Sequence, residues 1–259
     1  MPALTLDSEP SLRQPILVLA FAGWNDAGEC ASTAVRYLAA HTNAEKFASI
    51  DPEEFYDFTV MRPHVRLSEG MTREVIWLSN DFSAATLPGA DQDLILGLGP
   101  EPHLRWRTFC TEVIELARRY EAPMIVTLGG FLSEVLYSRP VEVSGFSSDP
   151  ELIEKLGLTP SRYQGPTGIV GVLGDLCRRE KILTASLWAA LPHYIAASPN
   201  PRAALALLLK LRTLLGIGVD LEEIEKQAAD FENRVNEAVA ADPKLAAYVR
   251  ELKKREFAH

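Results

Sequence analysis

The stretch PILVLAFAGWNDAGECASTAVRYLAAH, residues 15–41, decides the fold. Its first part, PILVLAF (15–21), is a continuous apolar run, which is typical of a strand buried on both faces. Its last part, ECASTAVRYLAAH (29–41), repeats apolar residues at helical spacing. The stretch therefore predicts a strand–loop–helix unit of an α/β protein.

The turn of this unit lies where α/β proteins often bind a ligand or a partner. Gly23 and Gly28 permit a tight turn and close backbone approach. Trp24 offers a large rigid surface of the kind that anchors interfaces, and Asn25 or Asp26 can cap the helix. We expect this loop at the carboxyl edge of the sheet, lining a surface cleft or a subunit contact. In the alternative, Trp24 fills the core and Asn25–Asp26 is only a cap.

Strands and helices alternate along the next 160 residues. Apolar, β-branched and aromatic runs predict strands at 55–60, 73–79, 93–99, 122–130, 139–147 and 182–192. Helical patterns occupy 104–120, 150–158 and 165–181, and almost everything after residue 200. This alternation predicts an α/β fold with a central, mostly parallel sheet flanked by helices, and a helical C-terminal region.

A chain of 259 residues can form one large α/β domain with an appendage. We predict a flexible N-terminal segment over 1–14, an α/β core domain over 15–199 and a helical extension over 200–259. Leucines surround most of the first helix of that extension, within 205–215. This helix must therefore pack on the core or on a neighbouring subunit.

Composition argues against several classes of protein. The net charge of −9 disfavours nucleic-acid binding. The longest apolar run, 203–219, is broken by Lys210 and Arg212, so no membrane span is expected. The N-terminus has no basic start and no long apolar stretch, which disfavours a secretory signal and favours the cytoplasm. The three cysteines are widely separated and are expected to be small buried residues rather than a disulfide or zinc framework.

Catalytic signatures are missing from the sequence. The five histidines are His41, His64, His103, His193 and His259. The sequence carries no G-x-S-x-G, H-E-x-x-H or C-x-x-C motif. We therefore predict no catalytic residue, no metal site and no cofactor, although a triad assembled in space stays open.

Glycines at strand ends and helix starts raise the question of an anion site. The relevant pairs are Gly129–Gly130, which ends a predicted strand, and Gly165 with Gly168, which precede a helix. Backbone amides there could hold an anion, but the glycines could equally let chain segments approach closely. Arg139 is a candidate anion contact or a surface ion-pair partner.

Four stretches together resemble bacterial, actinobacterial-type members of the proteasome assembly chaperone 2 family. They are FAGWNDAGECAS, DLILGLGPEPHLRW, TLGGFL with RPVEVSGF, and YQGPTGIVGVLGDLC leading into ILTASLWAALPHYIAASPNP. The resemblance covers roughly residues 15–250. It implies a fold similar to that of nucleoside phosphorylases, and a binding role in which relatives help to assemble the proteasome α-ring and several self-associate.

One feature departs from this family. Some relatives dock through a C-terminal hydrophobic-Tyr-x tail, whereas this chain ends KKREFAH. Tail docking is therefore not expected.

Two functions remain after this comparison. The first is a non-enzymatic, chaperone-like protein that acts as a homo-oligomer and binds proteasome α-subunits. The second is an enzyme or sensor for a nucleoside-like or phosphate-bearing molecule. The second requires that the loops carrying Trp24, Gly129–Gly130, Arg139 and Gly165–Gly168 converge on one pocket.

Overall fold

The computed structural model describes residues 3–68, 72–160, 163–216 and 218–257. Its strands are β1 (Leu4–Leu6), β2 (Ile16–Ala22), β3 (Glu45–Ile50), β4 (His64–Ser68), β5 (Thr72–Ile76), β6 (Asn80–Ala85), β7 (Leu94–Pro100), β8 (Met124–Ser133), β9 (Val143–Ser147), β10 (Thr159–Pro160) and β11 (Leu183–Pro192). Its helices are α1 (Cys30–His41), α2 (Trp106–Arg119), α3 (Pro150–Leu156), α4 (Ile169–Arg179), α5 (Pro201–Leu215), α6 (Glu222–Ala241) and α7 (Pro243–Phe257).

Within the described residues, nine strands form one mixed sheet in the order β1-β3-β6-β7-β2-β8-β11-β9-β10. The four central strands, β7, β2, β8 and β11, are parallel to one another. The neighbours of this group, β6 and β9, run antiparallel to it. The predicted α/β fold with a largely parallel centre and flanking helices is confirmed, and antiparallel strands extend the sheet on both sides.

The alternation of side chains along β2 explains the layered core. Ile16, Val18 and Ala20 belong to the cluster that packs against α1 and α5, and Leu17 and Leu19 belong to the cluster on the opposite face, with α2 and α4. Because both faces of the strand are buried, every residue from 16 to 21 can be apolar.

The C-terminal helices make a smaller apolar cluster of their own. Phe231, Val235 and Val239 of α6 pack with Val249 and Leu252 of α7. Leu136, which follows β8, joins this cluster and connects it to the main sheet. The helix α5 differs from α6 and α7, because its buried face belongs to the core beneath the sheet. The division of the chain at residue 200 stays a prediction.

Two predictions about local structure are wrong. Residues 55–60 form turns instead of a strand, because Phe55 and Tyr56 are buried by packing around Phe109 and the end of β7 rather than in a ladder. The segment 1–14 is not flexible throughout, since Leu4–Leu6 pairs with β3. Residues 1 and 2 of that segment, and His259, lie outside the described residues.

An ion pair holds Arg13, near the end of the N-terminal segment, against the residue that precedes β7. The Arg13 guanidinium donates to both carboxylate oxygens of buried Asp93, at 3.2 and 2.7 Å. The Leu87 amide also donates to Asp93, at 2.9 Å. Burial alone would raise the pKa of Asp93, but the hydrogen bonds and the charge of Arg13 together hold it below its usual value.

Candidate functional site

The loop after β2 reaches the carboxyl edge of the parallel strands, as predicted. Gly23 has a φ of 116°, in the region that favours glycine, and it turns the chain away from the sheet. Trp24 then points outward and is 60% exposed, so it does not fill the core. The next residue, Asn25, is fully buried, and its carbonyl accepts from the Gly130 amide at 2.8 Å.

Asp26 caps the helix α1, in agreement with the sequence. Its carboxylate accepts from the amides of Ala31 at 2.7 Å and of Ser32 at 3.3 Å. Burial raises the pKa of Asp26 above its ordinary value, and these hydrogen bonds only partly oppose that shift. The side chain of Asn25, the other candidate cap, donates to Glu101 instead.

The Asn25 side chain joins three elements through Glu101. Asn25 Nδ2 donates to Glu101 Oε1 at 2.7 Å, and the same oxygen accepts from the Ile169 amide at the start of α4, also at 2.7 Å. A carboxylate at a helix N-terminus satisfies an otherwise unpaired amide and interacts favourably with the helix dipole. Glu101 therefore occupies the position where the sequence allowed an external anion. We refer to Asn25, Glu101 and the α4 start as the edge network.

The candidate glycines lie close to other groups. A Cβ atom on Gly168 would lie 2.4 Å from Asn25 Oδ1 and 2.6 Å from Glu101 Oε1. Gly130 approaches Cys30 Sγ in the same way, and Gly129 lies against the ring of Trp188. Close approach of chain segments accounts for all three positions. Gly165 lies apart, in an exposed loop beside the Tyr163 ring.

Arg139 lies elsewhere. It borders a separate cavity of about 410 Å³ between the end of β8 and the helices α6 and α7. Its guanidinium is 3.4 Å from Glu256, and its carbonyl accepts from Arg202. The candidates Trp24, Gly129, Gly130, Gly165 and Gly168 do not line this cavity. These candidates therefore do not line one cavity together, as the enzyme or sensor requires, although the cavity beside Arg139 also lies at the carboxyl ends of β8 and β11.

Four apolar side chains follow the ends of the central strands and are exposed. They are Trp24 after β2, Leu104 after β7, and Phe131 and Leu132 at the end of β8. The ladder places Ala22 beside Pro100, and the amide of Gly130 beside the carbonyl of Asn25, so these strand ends are neighbours. We call these four residues the edge surface. Of them, sequence reasoning identified only Trp24, although Phe131 and Leu132 directly follow the double glycine and were a readable signal.

The described histidines and cysteines do not form a nucleophile–base pair. The ring nitrogens of His41, His103 and His193 contact backbone groups, Glu223 or the Tyr248 hydroxyl. Burial raises the pKa of Cys110 and Cys177 to about 12, and that of Cys30 higher still. These thiols are buried and protonated, as expected for small core residues.

Across residues 3–68, 72–160, 163–216 and 218–257, no group of three histidine, cysteine or acidic side chains could hold a metal ion. Within the same ranges, no helix is long and apolar enough to cross a membrane.

Comparison with known proteins identifies the family. The PAC2 family model matches residues 20–239, and the chain therefore belongs to the PAC2 family. A proteasome-assembly chaperone homologue from Mycobacterium tuberculosis is 40% identical, with a TM-score of 0.83 over 90% of this chain and 99% of that one. A PAC2 family protein from Streptomyces avermitilis is 41% identical, with a TM-score of 0.82 over 91% of this chain and 99% of that one.

A more distant structure shares the fold. An archaeal proteasome activator from Pyrococcus furiosus has a TM-score of 0.72 at 18% identity, over 91% of this chain and 97% of that one. The resemblance inferred from the sequence is confirmed, and the family supports a chaperone-like role.

Proposed function

We propose that this protein is a non-enzymatic, chaperone-like binding protein that acts in the cytoplasm as a homo-oligomer. Its partners are further copies of itself and proteasome α-subunits, and the edge surface is where it binds them. One observation carries the proposal: at the sheet edge that holds ligands in many α/β proteins, internal side chains close the start of α4, and exposed apolar side chains lie at the ends of the neighbouring strands.

The closure of the edge argues against a small-molecule site at that position. An anion at the start of α4 would have to displace Glu101 from the Ile169 amide, and would meet its negative charge. The buried Asn25 Nδ2 would lose its hydrogen-bond acceptor, Glu101 Oε1, at the same time. Leaving such groups unpaired costs about 1–3 kcal/mol each.

The exposure of the edge surface argues for a protein partner. Single exposed apolar residues are ordinary, but a group of them at one edge marks an interaction site. Trp24 is the type of residue that dominates binding energies at interfaces, since it buries a large area with few rotatable bonds. The names of the relatives, one a proteasome-assembly chaperone homologue and one a proteasome activator, support proteasome subunits as partners.

Capture of purified proteasome α-subunits tests this proposal. The wild-type chain should retain α-subunits, and Trp24→Ala and Leu132→Asp should each reduce retention at least tenfold. Phe146→Ala is the matched control, since Phe146 is an equally exposed aromatic on β9, away from the carboxyl edge. Retention by the wild type that neither edge substitution reduces would contradict the role of the edge surface. The absence of retention by the wild type would contradict the choice of partner.

An enzyme or sensor is the second candidate, and the cavity beside Arg139 favours it. Its volume of about 410 Å³ falls in the range of small-molecule sites. Three arginines, Arg139, Arg202 and Arg255, would supply positive charge to an anionic ligand, although three glutamates line the same cavity and balance them: Glu134, Glu142 and Glu256.

A further inference from the structure

The hairpin of β4 and β5 is an amphipathic ribbon. Its register pairs Val65 with Val75 and Leu67 with Arg73, and cross-strand partners share a face. The intervening pairs, including the Arg66–Glu74 ion pair, lie on the opposite face. One face of the ribbon therefore carries Val65, Leu67 and Val75 with a single guanidinium, and the other carries polar side chains and Ile76.

The apolar face has no cover within the described chain. Val65 is 60% exposed, Leu67 is 65% exposed and Val75 is 46% exposed. The strands β4 and β5 pair only with each other among the described strands. A two-stranded ribbon is marginally stable by itself, and an antiparallel sheet usually packs one face on a core. This face is built to be covered by another molecule.

The ribbon is basic in an acidic protein. From residue 62 to residue 76 the sequence carries Arg62, Arg66 and Arg73 against two acids, Glu69 and Glu74, and Glu74 pairs with Arg66. The whole chain has a net charge of −9. Charge complementarity therefore favours an acidic apolar surface as the cover.

The edge surface has that character. Glu29, Glu101 and Glu134 follow the same strand ends as its four apolar residues, against Arg107 and an Arg105 that is already paired with Glu54. The ribbon leaves the sheet just before β6, two strands away from β2, and it does not cover the edge surface of its own molecule, where Trp24 and Leu132 stay exposed.

We propose that the apolar face of the ribbon docks on the edge surface of a second copy of this chain. The contact is heterologous, since a ribbon meets an edge, and repeated contacts close into a ring if the rotation allows it. The proposal rests on the proposed function, because it names a second copy as one protein that the edge surface binds.

Light scattering after size exclusion tests the docking. The wild-type chain should have a mass that is a multiple of 28.6 kDa. Val65→Asp should reduce the mass to that of one chain, whereas His64→Asp, one residue away on the polar face, should not. Both positions are exposed, so circular dichroism and melting temperature should be unchanged. A monomeric wild type, or equal masses for the two variants, would overturn the proposal.

A mixing experiment tests the head-to-tail geometry. Val65→Asp removes the ribbon face and keeps the edge, and Leu132→Asp does the reverse. Each variant alone should be a monomer. An equimolar mixture should form a dimer with one chain of each kind, since one intact ribbon then meets one intact edge. Two ribbons packing on each other, or two edges packing on each other, would give no mixed dimer, and that result would overturn the proposal.

The α-subunit assay separates this proposal from the proposed function. If Val65→Asp leaves the mass unchanged while Trp24→Ala loses α-subunits, only the ribbon proposal fails. If Val65→Asp becomes a monomer while no variant or wild type retains α-subunits, the choice of proteasome partner fails and the self-association stands.

Discussion

Gly168 is the residue on which the edge network depends most directly. A methyl group at this position would overlap Asn25 Oδ1 and Glu101 Oε1, at 2.4 and 2.6 Å. We expect Gly168→Ala to lower the free energy of unfolding by about 1–3 kcal/mol, because two hydrogen-bonded side chains must move. Urea denaturation measures this change.

Gly174 provides the control in the same helix. A Cβ atom there meets no heavy atom within 4 Å. Gly174→Ala should stabilise the protein by about 0.4–1 kcal/mol, because alanine favours the helix and restricts the unfolded chain. Equal effects of the two substitutions on the free energy of unfolding would show that the neighbouring side chains do not exclude a Cβ atom at Gly168.

Asp26 should make stability depend on pH in an unusual direction. Burial raises its pKa above 3.8, so between the two values the folded state binds more protons than the unfolded state. Stability then falls as pH rises through this window. Because Asp26→Asn cannot ionise, its stability relative to the wild type should increase as pH rises from about 3.8.

Asp57 gives the opposite sign and serves as control. The Thr59 side chain and amide lower the pKa of Asp57 by hydrogen bonding. Asp57→Asn should therefore lose stability relative to the wild type as pH rises through the lowered value. Urea unfolding curves from pH 3 upward measure both differences, and parallel trends for the two variants would contradict the assignment.

The sequence revealed some of these residue roles and concealed others. Asp26 lies four residues before Cys30, the first residue of α1, so its capping role could be inferred from local spacing. Glu101 lies 76 residues from Asn25 and 68 from Ile169. Its partners are set by the order of strands in the sheet, and a single sequence gives no local signal for that order.

At the scale of elements, burial on both faces made strands readable. The strands β2 and β7 are buried in the sheet centre, and their continuous apolar runs predicted them. The strands β3 (EKFASI) and β6 (NDFSAA) were missed because they lie nearer the sheet margin and mix polar with apolar residues. The aromatic residues of 55–60 correctly indicated that Phe55 and Tyr56 are buried. They did not indicate that these residues lie in turns instead of a β-strand.

The helices α6 and α7 should open before the sheet. Their apolar cluster is small and separate from the two main ones, and Phe231 is its largest side chain. Phe231→Ala should cost about 3–5 kcal/mol locally. Hydrogen exchange should accelerate across α6 and α7 and change little in β2 and β8.

The matched control for this helix pair is Asn233→Ala, an exposed position on the same helix. It should leave exchange rates within α6 and α7 nearly unchanged. Uniform acceleration across the sheet in Phe231→Ala would mean that the helices and the sheet unfold as one unit, and would contradict the separate extension predicted over 200–259.

At the scale of the whole molecule, the ribbon and the edge surface are apolar surfaces that folding leaves exposed among the described residues. The ribbon exposes Val65 and Leu67, and the edge surface exposes Trp24 and Leu132. The sequence leaves open whether Trp24 is exposed at the edge or fills the core, and it does not predict the ribbon, because 73–79 is predicted as a strand without a hairpin partner. The two surfaces differ in shape, since one is a face of a hairpin and the other lies at the ends of the central strands.

The edge network leaves the start of α4 closed to small anions. A thermal-shift experiment tests this closure. Phosphate, nucleosides and nucleotides at millimolar concentration should leave the melting temperature of the wild type unchanged, because Glu101 already satisfies the Ile169 amide and Gly129–Gly130 is filled by Trp188 and Cys30. Sodium chloride at matched ionic strength controls for screening of the surface charges. A ligand that binds only the folded state must raise the melting temperature. A concentration-dependent rise with any of these ligands, absent with salt, would therefore favour the enzyme or sensor. If Arg139→Ala then removed that rise, the ligand would be assigned to the cavity beside Arg139 rather than to the start of α4.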